Sequence, residues 1–284
     1  MTITGHTRLA AVIGDPVRHS VSPVMHNAAF VARGLDWVFV ALPVAVGDGA
    51  RALDCVRVLG IDGLSVTMPH KAAAADACDE VRGDAKLLRS VNCVSRGEHG
   101  TLVGESTDGE GFLRSLREEG HDPAGVDALV LGAGGVGRAV ALALAQAGAS
   151  VRVAARRSEA ALECAALGDA ITAVEWGAAS QAARECRLVV NGTPIGMAAR
   201  GADPASELAE LPFSGADLGP DHVVADLVYL PRRTPLLELA ASRGAATVEG
   251  IGMLVHQGAI AFERWTGAAA PVDVMRHAAV SALR

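Results

Sequence analysis

One lysine occupies an unfavourable position for its charge. Lys71 closes the segment SVTMPHK (65–71), where an apolar run reaches a proline and a predicted helix begins. The first turn of a helix carries about half a positive charge, which opposes a cation there by roughly 0.3–1 kcal/mol. An exposed helix lysine is the more common situation, but this placement argues against it. Lys71 is therefore a candidate proton donor for acid–base chemistry.

A second group of residues has the spacing of a phosphate-binding turn. LVLGAGGVGRAV (129–140) places Gly132, Gly134 and Gly137 between an apolar strand and an Ala-rich helix. The strand–turn–helix setting makes this pattern specific, and it disfavours the alternative of a tight turn without a ligand. Gly132 permits the turn, Gly134 lets the backbone approach a pyrophosphate, and Gly137 allows close helix–sheet packing. Free N–H groups at the helix start would bind the phosphates.

The next strand, SVRVAARR (150–157), indicates which dinucleotide is bound. Sites for NAD place Asp or Glu at this strand end, roughly 20 residues beyond the glycines. Here Ala155, Arg156 and Arg157 stand instead. Guanidinium groups suit a 2′-phosphate, which an acid would repel. A solvated basic strand end is the alternative, but its coincidence with the glycine turn favours NADP.

Alternating apolar runs and amphipathic stretches must position these residues, in the pattern of βαβ units. In the first part of the chain we predict strands at 9–14, 37–44 and 62–68, helices at 22–34, 49–60 and after Pro69, and a hairpin at 90–106. Ser22 is predicted to cap the first of these helices, followed by Pro23 in its first turn.

A second series of elements begins near residue 108. A helical piece at 109–120 precedes the glycine turn, and the later predictions are strands at 150–157, 187–193 and 222–229 and a helix at 158–168. From Thr234 onward the chain is predicted to be mostly helical, with a break at Gly250 and Gly252. The change at 108 suggests a domain boundary.

Composition narrows the class of protein. Half of the 284 residues are hydrophobic and 3% are aromatic, as in layered α/β proteins. A net charge of −7 without a long basic run argues against a general nucleic-acid binder. No apolar stretch reaches the ~18 residues of a membrane span, and the N-terminus has no secretory pattern. Five scattered cysteines and three histidines without ligand spacing (His19, His70, His256) favour a cytoplasmic protein without a metal.

Several motifs in order resemble those of the shikimate dehydrogenases, NADP-dependent enzymes that interconvert 3-dehydroshikimate and shikimate. The likeness runs from about residue 10 to about residue 275. It rests on GDPVRHSVSP (14–23), SVTMPHK (65–71), SVN (90–92), STDG (106–109), GAGG (132–135), NGTPIGM (191–197), DLVY (226–229), TPLL (234–237) and GIGMLVHQ (250–257).

The resemblance implies a set of site residues. Lys71 and Asp108 would be the catalytic pair. The residues expected to contact the substrate are Ser20, Ser22, Thr67, Lys71, Asn92, Asp108, Tyr229 and Gln257. Those expected to contact NADP are Gly132, Ala133, Gly134, Gly135, Val136, Gly137, Ala155, Arg156, Arg157, Thr193, Leu227 and Gly250.

Taken alone, several of these residues have structural interpretations. Asp108 followed by Gly more often marks a turn or a helix cap. Tyr229, the single tyrosine of the chain, ends a predicted strand, where a half-buried edge aromatic is common. Gln257 lies on an apolar helix face, where a satisfied core amide is nearly as frequent as a ligand contact.

The resemblance also implies an architecture. We expect an α/β protein of two lobes, with a substrate domain (1–107 plus 250–284) and a Rossmann-type NADP-binding domain (108–249). The C-terminal helices would return to the first domain, with substrate and nicotinamide meeting in a cleft. The substrate would be a small molecule, and the protein a monomer or a homodimer.

Two departures from the family pattern keep alternatives open. Ser65 and Ser106 stand where the family commonly has Asn. A quinate or aminoshikimate dehydrogenase of the same family therefore remains an alternative. A non-catalytic dinucleotide-binding sensor is the alternative from another class, although such a protein would need neither Lys71 nor Asp108.

Overall fold

The structure is a computed structural model that describes residues 2–197 and 203–283. It confirms the predicted α/β class. The chain forms two compact units, Met1–Thr107 with Val255–Arg284, and Asp108–Leu254. Each unit contains one sheet of six strands among the described residues.

The first unit contains a mixed sheet in the order β2-β1-β3-β5-β6-β4. Its strands are β1 (Arg8–Gly14), β2 (Trp37–Pro43), β3 (Gly63–Val66), β4 (Glu80–Val81), β5 (Cys93–Arg96) and β6 (Leu102–Glu105). Its N-terminal helices are α1 (Ser22–Ala32), α2 (Gly49–Leu59), α3 (Lys71–Ala77) and α4 (Asp84–Leu88). Strand β1 is parallel to β2 and β3, and β5 and β6 pair antiparallel, which confirms the hairpin.

The second unit contains a sheet in which every pairing is parallel, in the order β12-β11-β10-β7-β8-β9. Its strands are β7 (Asp127–Leu131), β8 (Ser150–Ala155), β9 (Ile171–Glu175), β10 (Leu188–Asn191), β11 (Val223–Asp226) and β12 (Ala246–Glu249). Its helices are α5 (Asp108–Glu118), α6 (Gly135–Gln146), α7 (Ser158–Ala165), α8 (Ala179–Glu185), α9 (Pro204–Leu208) and α10 (Pro235–Ser242). This is the doubly wound order of dinucleotide-binding folds. From β7 the chain adds β8 and β9 on one side and β10, β11 and β12 on the other, so the order of strands switches between β7 and β10.

The last two helices are α11 (Gly250–Thr266), which crosses the boundary between the units, and α12 (Val272–Ala282). The indole of Trp265 donates to the carbonyl of Val94 in β5 over 3.0 Å, and α12 packs on α1. The C-terminal helices therefore return to the first unit, as predicted.

Several local predictions were wrong or incomplete. Ser22 is the first residue of α1 rather than its cap; Val21 holds the cap position, and the Ser20 hydroxyl accepts the Ser22 amide over 3.2 Å. Tyr229 lies beyond β11, which ends at Asp226. The break expected at Gly250 and Gly252 is the junction of β12 with α11 at Gly250, and Gly252 lies inside α11. The elements β4, α4, β9, α8, α9 and β12 were not predicted, because such short segments carry little periodicity.

A fully buried imidazole lies in an aromatic cluster of the first unit. His26 stacks on Phe39 with ring centres 4.4 Å apart and lies 5.2 Å from the ring of Trp265. Neither ring nitrogen has a hydrogen-bond partner among the described residues. Burial lowers the pKa of His26 from 6.5 to about 3. Folding therefore requires the neutral imidazole.

We expect His26 to make the unfolding free energy depend on pH. The unfolded chain binds a proton at His26 below pH 6.5 and the folded chain does not, so stability falls as the pH decreases from 6.5 towards 3. The loss is about 2 kcal/mol at pH 5. Urea unfolding at pH 7, 6 and 5 tests this against the variant His26→Phe, which lacks the titrating group. Parallel pH curves for the two proteins would contradict it.

Candidate active site

The glycine turn of the second unit has the geometry that its motif predicts. Gly132 has a φ of 93°, which favours glycine. A Cβ at Gly137 would lie 2.0 Å from the Gly132 carbonyl oxygen, so α6 can begin this close to β7 only with glycine there. A Cβ at Gly134 would meet no atom within 4 Å. The backbone at Gly134 is therefore open to a ligand, and the turn fits a dinucleotide pyrophosphate.

The loop after β10 lies against this turn. A Cβ at Gly192 would lie 3.0 Å from the carbonyl oxygen of Leu131 and 3.3 Å from the Cα of Gly137. A cavity of about 220 Å³ is lined by Gly132, Arg156, Trp176, Thr193, Pro194 and Ile195. The cavity thus lies beside the carboxyl ends of β7 and β10, where doubly wound sheets bind their ligands.

A buried carboxylate holds the loops that carry Thr193 and Leu227. Asp226 accepts hydrogen bonds from the Asn191 amide (2.9 Å), the Thr234 hydroxyl (2.6 Å) and the Val228 N–H (3.1 Å). Asn191 in turn accepts the hydroxyl and the amide of Thr193. Burial raises the pKa of Asp226 to about 6, against the opposing effect of its donors. The carboxyl links the ends of β10 and β11 through these donors.

The segment after β11 brings two further predicted residues together. The amide of Leu227 donates to the Asn191 carbonyl over 3.0 Å. A Cβ at Gly250 would lie 2.7 Å from each carbonyl oxygen of residues 226, 227 and 228, so α11 starts directly against this segment. Tyr229 is partly buried, and burial raises the pKa of its phenol.

In the first unit, Lys71 is the first residue of α3, as predicted. It is partly buried, and its carbonyl accepts the Val91 amide over 3.0 Å. Thr67 directly follows the end of β3, and the methyl group of Thr67 would lie 2.4 Å from a Cβ at Gly14. The hydrogen bond from Val91 fixes the main chain of Lys71 beside Asn92, the next residue along the chain.

Asn92 connects three parts of the first unit. Its side-chain Nδ2 donates to the Thr107 hydroxyl (2.9 Å) and to the side-chain Oε1 of Gln257 (3.4 Å). Its side-chain Oδ1 accepts the main-chain N–H of Thr107 (2.7 Å). Asn92 and Thr107 are buried. Asp108, 5% exposed, follows Thr107 directly. One side-chain amide thus fixes the residue that precedes Asp108 and also contacts Gln257.

The comparisons with known proteins cover the whole chain. The model of the shikimate dehydrogenase substrate binding domain matches residues 12–94, and that of the shikimate 5′-dehydrogenase C-terminal domain matches residues 250–280. A shikimate dehydrogenase (NADP(+)) of Methanopyrus kandleri is 43% identical over 294 residues, which span 100% of this chain and 99% of the relative. The chain belongs to the shikimate dehydrogenase family.

Solved structures agree with this family assignment. Shikimate 5-dehydrogenase from Thermus thermophilus, in complex with NADP(H) and shikimate, is 37% identical and has a TM-score of 0.86 over 97% of this chain and 100% of that one. Quinate dehydrogenase from Corynebacterium glutamicum, in complex with NAD, is 33% identical and has a TM-score of 0.86 over 97% and 99% of the two chains.

For this member of the shikimate dehydrogenase family, the roles of the predicted site residues stay predictions. The structure groups Lys71, Asn92 and Gln257 within the first unit. Ser22 is buried and Ser20 partly buried at the start of α1. In the second unit it groups Gly132, Ala133, Gly134, Gly135, Val136 and Gly137 at one turn, Thr193 and Leu227 around the Asp226 network, and Ala155, Arg156 and Arg157 at the end of β8.

Sequence reasoning missed residues that hold the candidate site residues in place. Thr107, Asn191, Asp226 and Thr234 all lie inside or beside the motifs, but their roles depend on partners that the sequence does not reveal.

The histidines proved structural in one clear case: His70 is buried and its Nε2 lies 2.8 Å from the Val44 carbonyl oxygen. Among residues 2–197 and 203–283, no group of three His, Cys, Asp or Glu side chains could hold a metal ion. No helix in the described part of the chain combines the length and apolarity needed to span a membrane.

We expect Asn92→Ala to lower both stability and turnover. The change leaves the buried amide and hydroxyl of Thr107 without their partner, at a cost of about 1–3 kcal/mol for each unsatisfied group. It also frees the residue that precedes Asp108. Asn27→Ala is a matched control, since Asn27 makes the same two-way contact with the main chain of Phe39 (2.9 and 2.8 Å).

Urea unfolding and steady-state kinetics of both variants separate the two effects. Asn27→Ala should lose stability and retain kcat at a temperature where it is folded. Asn92→Ala should lose kcat under the same conditions. An equal kcat for the two folded variants would reduce Asn92 to a purely structural residue.

Proposed function

We propose that this protein is an NADP-dependent shikimate dehydrogenase that reversibly reduces 3-dehydroshikimate to shikimate. The observation that carries the proposal is the 43% identity with an NADP-dependent shikimate dehydrogenase along the whole chain. The open turn at Gly134 and the two arginines at the end of β8 support the choice of cofactor. The reaction belongs to aromatic amino acid biosynthesis.

The proposed chemistry assigns one task to each group of residues. NADPH, when bound, supplies a hydride for the carbonyl carbon. Lys71 donates the proton to the developing alkoxide, and Asp108 orients the ammonium group and balances its charge. In the reverse direction Lys71 accepts that proton. Hydroxyl groups of Ser20, Ser22 and Tyr229 bind the substrate carboxylate, while Thr67, Asn92 and Gln257 bind the ring hydroxyls.

The proposed domain roles follow the two sheets. The substrate domain comprises 1–107 plus 250–284, and the NADP-binding domain comprises 108–249. The cofactor contacts are proposed for the glycine turn (132–137), for 155–157, and for Thr193, Leu227 and Gly250. We further propose a cytoplasmic enzyme, because all five cysteines are free thiols, and a monomer or homodimer.

One observation favours a second substrate. Ser65 and Ser106 replace residues that are commonly Asn in the family, and serine is a shorter donor for ring hydroxyls. The quinate dehydrogenase is 33% identical to this chain and the Thermus enzyme 37%, and both have a TM-score of 0.86. Quinate or aminoshikimate is therefore the alternative substrate, while a sensor would bind NADPH without turnover.

A substrate panel tests the proposal. Purified protein is assayed with shikimate, quinate and aminoshikimate, each with NADP and with NAD. We expect the highest kcat/KM for shikimate with NADP. A higher kcat/KM for quinate or aminoshikimate would change the substrate, and saturable NADPH binding without turnover of any of the three would support the sensor.

A further inference from the structure

The arginine at the proposed 2′-phosphate site of the second unit is engaged by a carboxylate. Nη2 of Arg156 lies 2.6 Å from Oε2 of Glu210, and the two side chains are 59% and 30% exposed. The Arg156 guanidinium also lies 6.0 Å from the centre of the Trp176 ring. Arg156, Trp176 and Gly132 line the same cavity. The ion pair therefore lies at the edge of the proposed adenosine site.

Glu210 brings an acidic group to a residue that directly follows β8. An acidic residue at the end of the second strand binds the ribose hydroxyls in sites for NAD and repels a 2′-phosphate. Here β8 ends in Ala155 and carries no acid, but Glu210 brings a carboxylate to the same arginine from the segment that follows α9. The strand motif alone does not reveal this carboxylate, which lies beside Arg156.

The neighbouring arginine differs from Arg156. The side chain of Arg157 is exposed and forms no hydrogen bond or ion pair with another described residue. The guanidinium of Arg157 is thus available to a phosphate. Arg156 must release the Glu210 carboxylate before it can bind one. A phosphate and a carboxylate are both acceptors of the bidentate guanidinium contact, so the two compete for the same donors.

We propose that Glu210 sets the cofactor selectivity of this enzyme by competing with the 2′-phosphate for Arg156. When NADP binds, the phosphate displaces the Glu210 carboxylate from the guanidinium. When NAD binds, Arg156 keeps its partner, and the carboxylate remains to accept a ribose hydroxyl. This inference rests on the proposed use of NADP and names the residue that weakens the discrimination against NAD.

Binding of two adenosine probes tests the proposal without turnover. Titration calorimetry gives the Kd of 2′,5′-ADP and of 5′-AMP for the wild type and for Glu210→Gln. We expect the variant to bind 2′,5′-ADP about fivefold more tightly, the effect of removing one partly exposed competing charge. Binding of 5′-AMP should be unchanged or weaker. The ratio of the two constants therefore shifts towards the 2′-phosphate.

Glu185→Gln is the matched control. Glu185 at the end of α8 forms an ion pair with Arg152 of β8, and neither residue lines the cavity. This variant should leave both constants unchanged. An unchanged ratio in Glu210→Gln, or weaker binding of 2′,5′-ADP, would overturn the proposal, because Glu210 would then merely orient Arg156.

The same measurements distinguish a failure of the Glu210 inference from a failure of the proposed function. Failure of both probes to bind the wild type would overturn the dinucleotide site and with it this inference. A shifted ratio in a protein that turns over no cyclic substrate would support the role of Glu210 and contradict the dehydrogenase. For an active enzyme, kcat/KM for NADP relative to NAD should rise about fivefold in Glu210→Gln.

Discussion

Replacing Lys71 with alanine is expected to lower kcat at least ~10²-fold, with a modest change in the KM of the cyclic substrate. Proton transfer by a positioned side chain contributes about 10²–10⁴ in rate. The contact strengthens as charge develops on the alkoxide, so its loss affects the transition state more than the bound substrate. Steady-state kinetics in both directions measure the change.

The chain offers a close control, because it contains two lysines, Lys71 and Lys86. Lys86 lies exposed in α4 and has no proposed part in the reaction. Lys86→Ala should retain the wild-type kcat. Circular dichroism of both variants verifies folding. A folded Lys71→Ala protein with near wild-type turnover would end the assignment of the proton donor.

Two glycines of one turn are expected to fail in different ways when changed to alanine. Gly134→Ala should fold normally, because its φ of −77° suits any residue and its Cβ meets no atom within 4 Å. The new methyl group occupies the open approach to the backbone, so NADPH binding should weaken about 10²-fold. That is the loss expected for one or two charge-assisted hydrogen bonds to phosphate.

Gly137→Ala should instead lower the free energy of unfolding. Its Cβ would lie 2.0 Å from a main-chain oxygen, so β7 and α6 must separate, at a cost of about 3 kcal/mol or more in unfolding free energy. Urea unfolding and NADPH titration of both variants distinguish the two effects. Wild-type NADPH affinity in a folded Gly134→Ala protein would contradict the assigned approach of the pyrophosphate.

The predictions that succeeded depend on local chemistry. A strand, a glycine turn and an apolar helix follow one another within 129–140, and each step is decided by residues a few positions apart. The start of α3 at Lys71 and the hairpin of β5 and β6 are of the same kind. The short elements β9, α8 and β12 were missed, because their formation depends on packing against a sheet rather than on their own periodicity.

Side-chain partners across long separations were not predictable. Asn92 joins Thr107 and Gln257, which are 15 and 165 positions away in the chain. Asp226 joins Asn191, 35 positions away, across two strand ends, and Glu210 reaches Arg156 over 54 positions. Each of these residues has an ordinary local environment in the sequence. Their importance comes from donors and acceptors that must be satisfied once they are buried or paired.

The sequence by itself determined the family, the α/β class, the glycine turn and the position of Lys71 at a helix start. These features depend on residue type and on spacings of a few residues, which the chain specifies directly. Only the tertiary structure decided that Asp226 links two loops and that Glu210 engages Arg156. Such contacts form between segments that folding brings together, and hydrogen bonding at short range then selects the partners.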